Sequence, residues 1–253
     1  MKPYNGCYLM GNYPDSEKFI DAALSGLEYF DFLEVGIPFS DPIADGPVIS
    51  NAAHAAIERG VTPDAVLESV GKIAARMPSG KHIYLMLYAN HVYARGTARF
   101  ARTCADLGVH GVIIPDVPFD ESTRFKEPLS AEGIRYVHFI TPENTPDQAA
   151  RYAAEARGFL YAVSMRGITG GDLSIDTDTS AVIAHARSAS SVPVVLGFGV
   201  RTVSHAKAAL GHADGFIMGT RLVELLTDQG VEGFNGFVAR LREELPGEVA
   251  AGV

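Results

Sequence analysis

Three things are scarce in this chain: cysteine, clustered positive charge and long apolar runs. Only two cysteines occur in 253 residues, Cys7 in an apolar strand-like run and Cys104 within a helical pattern. A chain of this length can bury a large core without covalent staples, so both are expected to be reduced core residues. Lysine and arginine total 21 against 30 acidic residues, the formal charge is −9, and no basic run appears anywhere. Affinity for a phosphate backbone comes from clustered Lys and Arg, so nucleic-acid binding is disfavoured. No apolar stretch approaches the roughly 20 residues that span a bilayer, and the opening MKPYNGCYLM lacks a charged-then-apolar signal layout. A soluble, cytoplasmic chain is the expectation.

Metal-ligand spacing is also missing. His54, His91, His110 and His205 fall on helical or loop positions without carboxylate or cysteine companions, so no metal is expected. Ser40 and Ser164 lack a nucleophile-elbow context, which gives covalent acyl chemistry little support.

What the chain does have is alternation. Short runs rich in Val, Ile, Leu and Phe occupy residues 7–10, 30–36, 82–88, 111–115, 136–140, 159–163, 193–196 and 215–218. Helical segments lie between them. Thr62 caps one such segment with Pro63 at its first position, and Val66, Val70, Ile73 and Met77 repeat at helical spacing. Near the end, Val231, Phe234, Val238, Leu241 and Leu245 form one apolar stripe over residues 231–245. An open doubly wound sheet gives similar local signals, but eight βα units without a linker favour an α/β fold of the (β/α)8 TIM-barrel kind, with residues 1–253 as one domain.

In such a barrel, chemistry sits on the loops at the carboxyl ends of the strands. The second run carries Glu34, which shares strand parity with Phe30 and Phe32 and is therefore expected to point inward, where burial raises its pKa. A carboxyl of that kind both gives and takes protons near neutrality. Asp41 and Asp45 follow in a Pro-rich loop, although Asp41-Pro42 and Asp45-Gly46 are also common turn signals. Tyr88 and Asn90 follow the third run and Asp116 the fourth, where Asp116 equally suits a helix cap. Tyr161 lies in the sixth run. Glycines then cluster in three turns: Gly167, Gly170 and Gly171; Gly197 and Gly199; and Gly219 beside Thr220. Each alone reads as a tight turn, but together they offer close backbone approach and free amides to an anion, so a phosphate fits without a basic residue.

The order of motifs resembles the tryptophan synthase alpha subunit family over nearly the whole chain. LEVGIPFSDPIADGP is the most specific match, followed by LMLYAN, GVIIPDVPFDES, SMRGITG, GFGV and IMGT. The resemblance implies a lyase that splits indole-3-glycerol phosphate into indole and glyceraldehyde 3-phosphate. It places Glu34 and Asp45 on the catalytic carboxylates, and Tyr88, Asp116, Tyr161, Thr169 and Phe198 in the substrate site. Within that site, Phe198 touches the indole ring and Thr169 pairs with Asp45 on loop closure. Gly170, Gly199, Gly219 and Thr220 fall on phosphate-binding positions, and Pro38 and Asp41 on the contact with a partner. That partner is a beta subunit using pyridoxal phosphate in an alpha2beta2-type complex, with no cofactor expected in this chain.

Two departures stand out. The first run begins within a few residues of Met1, where family members usually have an additional helix ahead of it, and Met165-Arg166 stand where some members have Arg and a small residue. The competing readings are a stand-alone indole-releasing lyase, a phosphosugar isomerase barrel, and an activator of a beta subunit that has lost catalysis.

Overall fold

The computed structural model describes residues 2–163, 175, 177–197 and 199–245. All eight apolar runs are strands: β1 (Gly6–Met10), β2 (Phe32–Gly36), β3 (His82–Met86), β4 (Gly111–Ile113), β5 (Arg135–Ile140), β6 (Leu160–Val163), β7 (Val194–Gly197) and β8 (Gly215–Met218). Each pairs in parallel with its neighbour, and β1 pairs with β8, so the sheet closes into the expected barrel.

The strands are short and buried on both faces, as a parallel sheet sheathed by helices requires. One face of each strand fills the barrel and the other meets the outer helices. Inside, Tyr8, Met10, Phe32, Tyr84, Met86, Phe159, Tyr161 and Ile217 form one apolar cluster. Outside, a second cluster takes the alternate residues, among them Cys7, Leu9, Leu33 and Val35. Both cysteines are free and buried.

The outer helices are α1 (Ser16–Leu27), α2 (Pro47–Glu58), α3 (Pro63–Ala74), α4 (Ala89–Arg95), α5 (Thr97–Asp106), α6 (Thr123–Ala131), α7 (Pro146–Glu155), α8 (Thr177–Ala189), α9 (Val203–His212) and α10 (Thr220–Glu244). Local chemistry starts several of them. Asp15 accepts from the Lys18 amide, Thr62 from Ala65 and Thr202 from His205, while Thr145 and Gln148 form a reciprocal capping box. The helix read over residues 231–245 is the second limb of α10. A first limb runs from Thr220, and the two meet at Gly230, whose φ of 65° breaks the helix.

One parity expectation fails. β2 begins at Phe32, and Phe30 lies before it in a turn whose amide bonds back to Gly26. Phe30 therefore joins the outer cluster against Phe216, while Phe32 and Glu34 point inward. Alternation holds only while the backbone is extended, and the turn interrupts it.

Candidate active site

Glu34 sits in the middle of β2, in register with Tyr8 on β1 and Tyr84 on β3. Below it is an aromatic floor: Phe32 stacks on Phe159 at 5.1 Å, and Tyr84 meets both rings edge-on at 5.2 and 5.0 Å. The side chain is 0% exposed, and neither carboxyl oxygen has a hydrogen-bond partner among the described residues. Burial, and secondarily the nearby Asp45 carboxyl, push its pKa up to about 8. A buried carboxyl with no donor to stabilise its charge keeps its proton at neutral pH.

Asp45 comes from the loop that joins β2 to α2. Tyr88, just before α4, donates to Asp45 Oδ2 at 3.1 Å and accepts the Ala44 amide at 3.1 Å. Burial raises the Asp45 pKa and the Tyr88 hydrogen bond opposes that rise. Phe39 stacks on the Tyr88 ring at 4.9 Å, pinning the start of the loop as well.

The two carboxylates face one cavity at the carboxyl ends of the strands. Tyr8 and Tyr161 line it beside them, with Met86, Ile49 and Ile217 as apolar wall and Gly199, Val200, Gly219 and Thr220 at the far end. That far end is built of backbone. Gly199 has a φ of 82°, and Gly219 opens α10 with no side-chain cap. The first described bond of that helix runs from the Val223 amide to Gly219 O, which leaves the preceding amides pointing outward at a positive dipole end. No Lys or Arg is among the described residues lining the cavity. Arg201 is held by both oxygens of Glu224 at 2.7 Å, and Arg221 lies 3.7 Å from the same carboxylate.

Glu34, Asp45, Tyr161, Gly199, Gly219 and Thr220 thus line one space, and Tyr88 reaches it through Asp45. Asp116 is placed differently. Its two oxygens accept the Ala89 amide at 3.0 and 3.2 Å, so it caps the first turn of α4. Pro38 is buried and Asp41 exposed, with Ser40 donating to Asp41 at 2.5 Å. Thr169, Gly170 and Phe198 lie outside the described residues, as do Met165 and Arg166.

Tyr8 and Met86 were missed by reading only the residues that follow each strand. Both lie within strands, where the signal is strand parity: Tyr8 and Met10 alternate with Cys7 and Leu9, so a phenol falls on the inward row. Among the described residues, no group of three or more His, Cys, Asp or Glu is arranged to hold a metal, and no helix is long and apolar enough to cross a membrane.

Comparison with known proteins agrees with this geometry. The family model described as tryptophan synthase alpha chain matches residues 7–248. The alpha chain of Caldicellulosiruptor bescii is 36% identical, with 94% of this chain and 91% of that one covered. That of Lactiplantibacillus plantarum is 37% identical over 96% and 92% of the two chains. Among solved structures, a chain of the tryptophan synthase a2b2 complex of Pyrococcus furiosus superposes with a TM-score of 0.88 at 28% identity, covering 97% of this chain and 100% of its own. A tryptophan synthase structure from M. tuberculosis gives 0.84 at 30% identity, over 96% and 93% of the two chains. A family model spanning nearly the whole sequence, on a barrel that brings the motif carboxylates together, is decisive: the chain belongs to the tryptophan synthase alpha chain family.

Proposed function

We infer that this chain is a carbon–carbon lyase that cleaves indole-3-glycerol phosphate to indole and glyceraldehyde 3-phosphate, as the alpha subunit of tryptophan synthase. The observation that carries the reading is Glu34: a wholly buried carboxyl, without a hydrogen-bond partner among the described residues, facing a cavity beside a second carboxylate.

The chemistry needs such a group. Breaking the bond between indole C3 and the glycerol chain leaves an electron pair on C3, a poor leaving position until that carbon is protonated. Glu34 in its neutral form gives the proton to C3. As a carboxylate it then accepts the proton of the glycerol hydroxyl while the carbon–carbon bond breaks, so the group ends as it began. Asp45, held towards its ionised form by Tyr88, accepts the indole N–H and stabilises the positive charge that protonation places on the ring. Tyr161 serves the ring site, and the resemblance gives Phe198 the ring contact and Thr169 the pairing with Asp45, both outside the described residues. Gly170, Gly199, Gly219 and Thr220 hold the phosphate by backbone amides. That remote grip aligns the reacting bond.

None of these steps calls on a cofactor in this chain. Pyridoxal phosphate belongs to a beta-subunit partner. The loop carrying Pro38 and Asp41 is the contact with that subunit, and the 77% exposure of Ile43 in the same loop supports it. Residues 1–253 act as one domain, and the setting is cytoplasmic tryptophan biosynthesis.

The test is indole release from indole-3-glycerol phosphate by the purified chain, with and without a beta subunit. Turnover that rises when the beta subunit is added supports the reading. Turnover that hardly changes indicates a stand-alone lyase, and none in either case removes the assignment.

A further inference from the structure

Tyr8 spans the cavity from its amide-lined end to its carboxylate end. A methyl group placed on Gly219, at the mouth of α10, would lie 3.1 Å from Tyr8 Cβ, and one placed on Gly36, two residues beyond Glu34, would lie 2.1 Å from the Tyr8 hydroxyl. The phenol is therefore laid along the floor between the turn assigned to the phosphate and the carboxyl assigned to the reacting bond. A three-carbon chain joining an indole ring to a phosphate has to occupy the same interval.

Among the described residues the hydroxyl is also unused. Both oxygens of Glu34 lack partners among the described residues, so Tyr8 does not donate to its register neighbour, and no described residue hydrogen-bonds the phenol. Burial first, then the Asp45 and Glu34 carboxyls, keep it protonated far above the ordinary phenol range. A neutral donor that the described residues leave unpaired inside a cavity is matched to an acceptor on the ligand.

We propose that the Tyr8 hydroxyl hydrogen-bonds a hydroxyl oxygen of the substrate's glycerol chain, and that it selects a hydroxylated three-carbon linker over a deoxygenated one. The proposal rests on the assignment of this cavity as the substrate site. It goes further by naming the protein group that reads the part of the substrate lying between ring and phosphate.

The experiment compares Tyr8→Phe with the unaltered chain on two ligands: the substrate, by kcat/KM, and the analogue in which both chain hydroxyls are replaced by hydrogen, by its inhibition constant. Loss of one hydrogen bond to a neutral group predicts that kcat/KM falls about tenfold. The inhibition constant of the analogue changes less than twofold. Equal weakening of both ligands would mean that Tyr8 only shapes the cavity, and no weakening of either would mean that the hydroxyl is idle; each outcome overturns the proposal. Failure of the unaltered chain to bind either ligand would instead remove the site assignment beneath it. A thermal melt of Tyr8→Phe within a few degrees of the parent excludes misfolding as the cause.

Discussion

Tyr88 and Asp45 are joined by a 3.1 Å hydrogen bond that bridges the carboxyl end of β3 and the loop after β2. The same phenol accepts the Ala44 amide, so one side chain both orients the carboxylate and holds the backbone beside it. Replacing Tyr88 by Phe removes the hydrogen bond that lowers the Asp45 pKa and leaves the burial that raises it. The acidic limb of the kcat/KM profile for indole release is predicted to move up by about one pH unit, the equivalent of one hydrogen bond to a charged group. An unmoved limb with a lower plateau would show that Tyr88 acts on loop position alone.

Glu34→Gln removes the proton carrier while keeping its shape. Positioned acid–base groups typically contribute about 10² to 10⁴ in rate, and a loss in that range is expected for indole release. Stability should respond in the opposite direction. With a folded pKa near 8 against an ordinary value of 4.5, the stability linked to Glu34 is fully present below about 4.5 and is lost as the pH rises towards 8. The Gln variant does not titrate, so its advantage over the parent should grow across that window to a few kcal/mol at pH 9. Denaturant midpoints of both chains at pH 5 and pH 9 measure it, and parallel pH dependence would contradict the buried carboxyl.

Asp116 gives a test of a different kind. Its carboxylate caps α4 through Ala89, and loss of such a cap costs about 1 kcal/mol. Asp116→Ala should lower the melting temperature by about 2–4 °C and leave kcat within about threefold of the parent. A large rise in KM without a change in melting temperature would instead show direct contact with substrate.

A second pH effect belongs to the opposite end of the barrel. His82 and His110 stack at 3.6 Å, with Arg135 on His110 Nδ1 and the Tyr4 hydroxyl on His82 Nδ1. Burial, His82 and Arg135 together hold His110 down at about 3. Its contribution to stability is present above about 6.5 and is lost as the pH falls towards 3. His110→Asn is expected to flatten the decline in melting temperature between pH 6.5 and pH 4, and a steeper decline would refute the assignment.

The barrel was legible because eight buried strands leave eight apolar runs, and helix caps such as Thr62 and Thr145 act within a few residues of themselves. The inward direction of Glu34 followed from its parity with Phe32, but not with Phe30, because the turn before β2 is set by contacts with α1 that no local pattern records. From its place after β4, Asp116 suited either a site residue or a cap on the helix that follows it. Its partner, the Ala89 amide, is 27 positions away in sequence and becomes a neighbour only when β3 and β4 pair. Tyr8 stayed hidden for a related reason: in a strand, a phenol that lines a cavity and one that packs in a core have the same sequence pattern.

The crowding inside the barrel also restricts how the site can change. A methyl group on Gly36 would overlap the Tyr8 hydroxyl, and one on Gly197 would come within 1.9 Å of the Tyr161 ring. These two glycines are the empty halves of two-residue units whose other halves are the phenols. Enlarging Gly197 alone should disable the chain, whereas enlarging it while trimming Tyr161 restores the volume and moves the cavity wall by one strand. Remodelling the interior for a different ring therefore proceeds by paired exchange across neighbouring strands, and libraries that vary one position at a time will not find it.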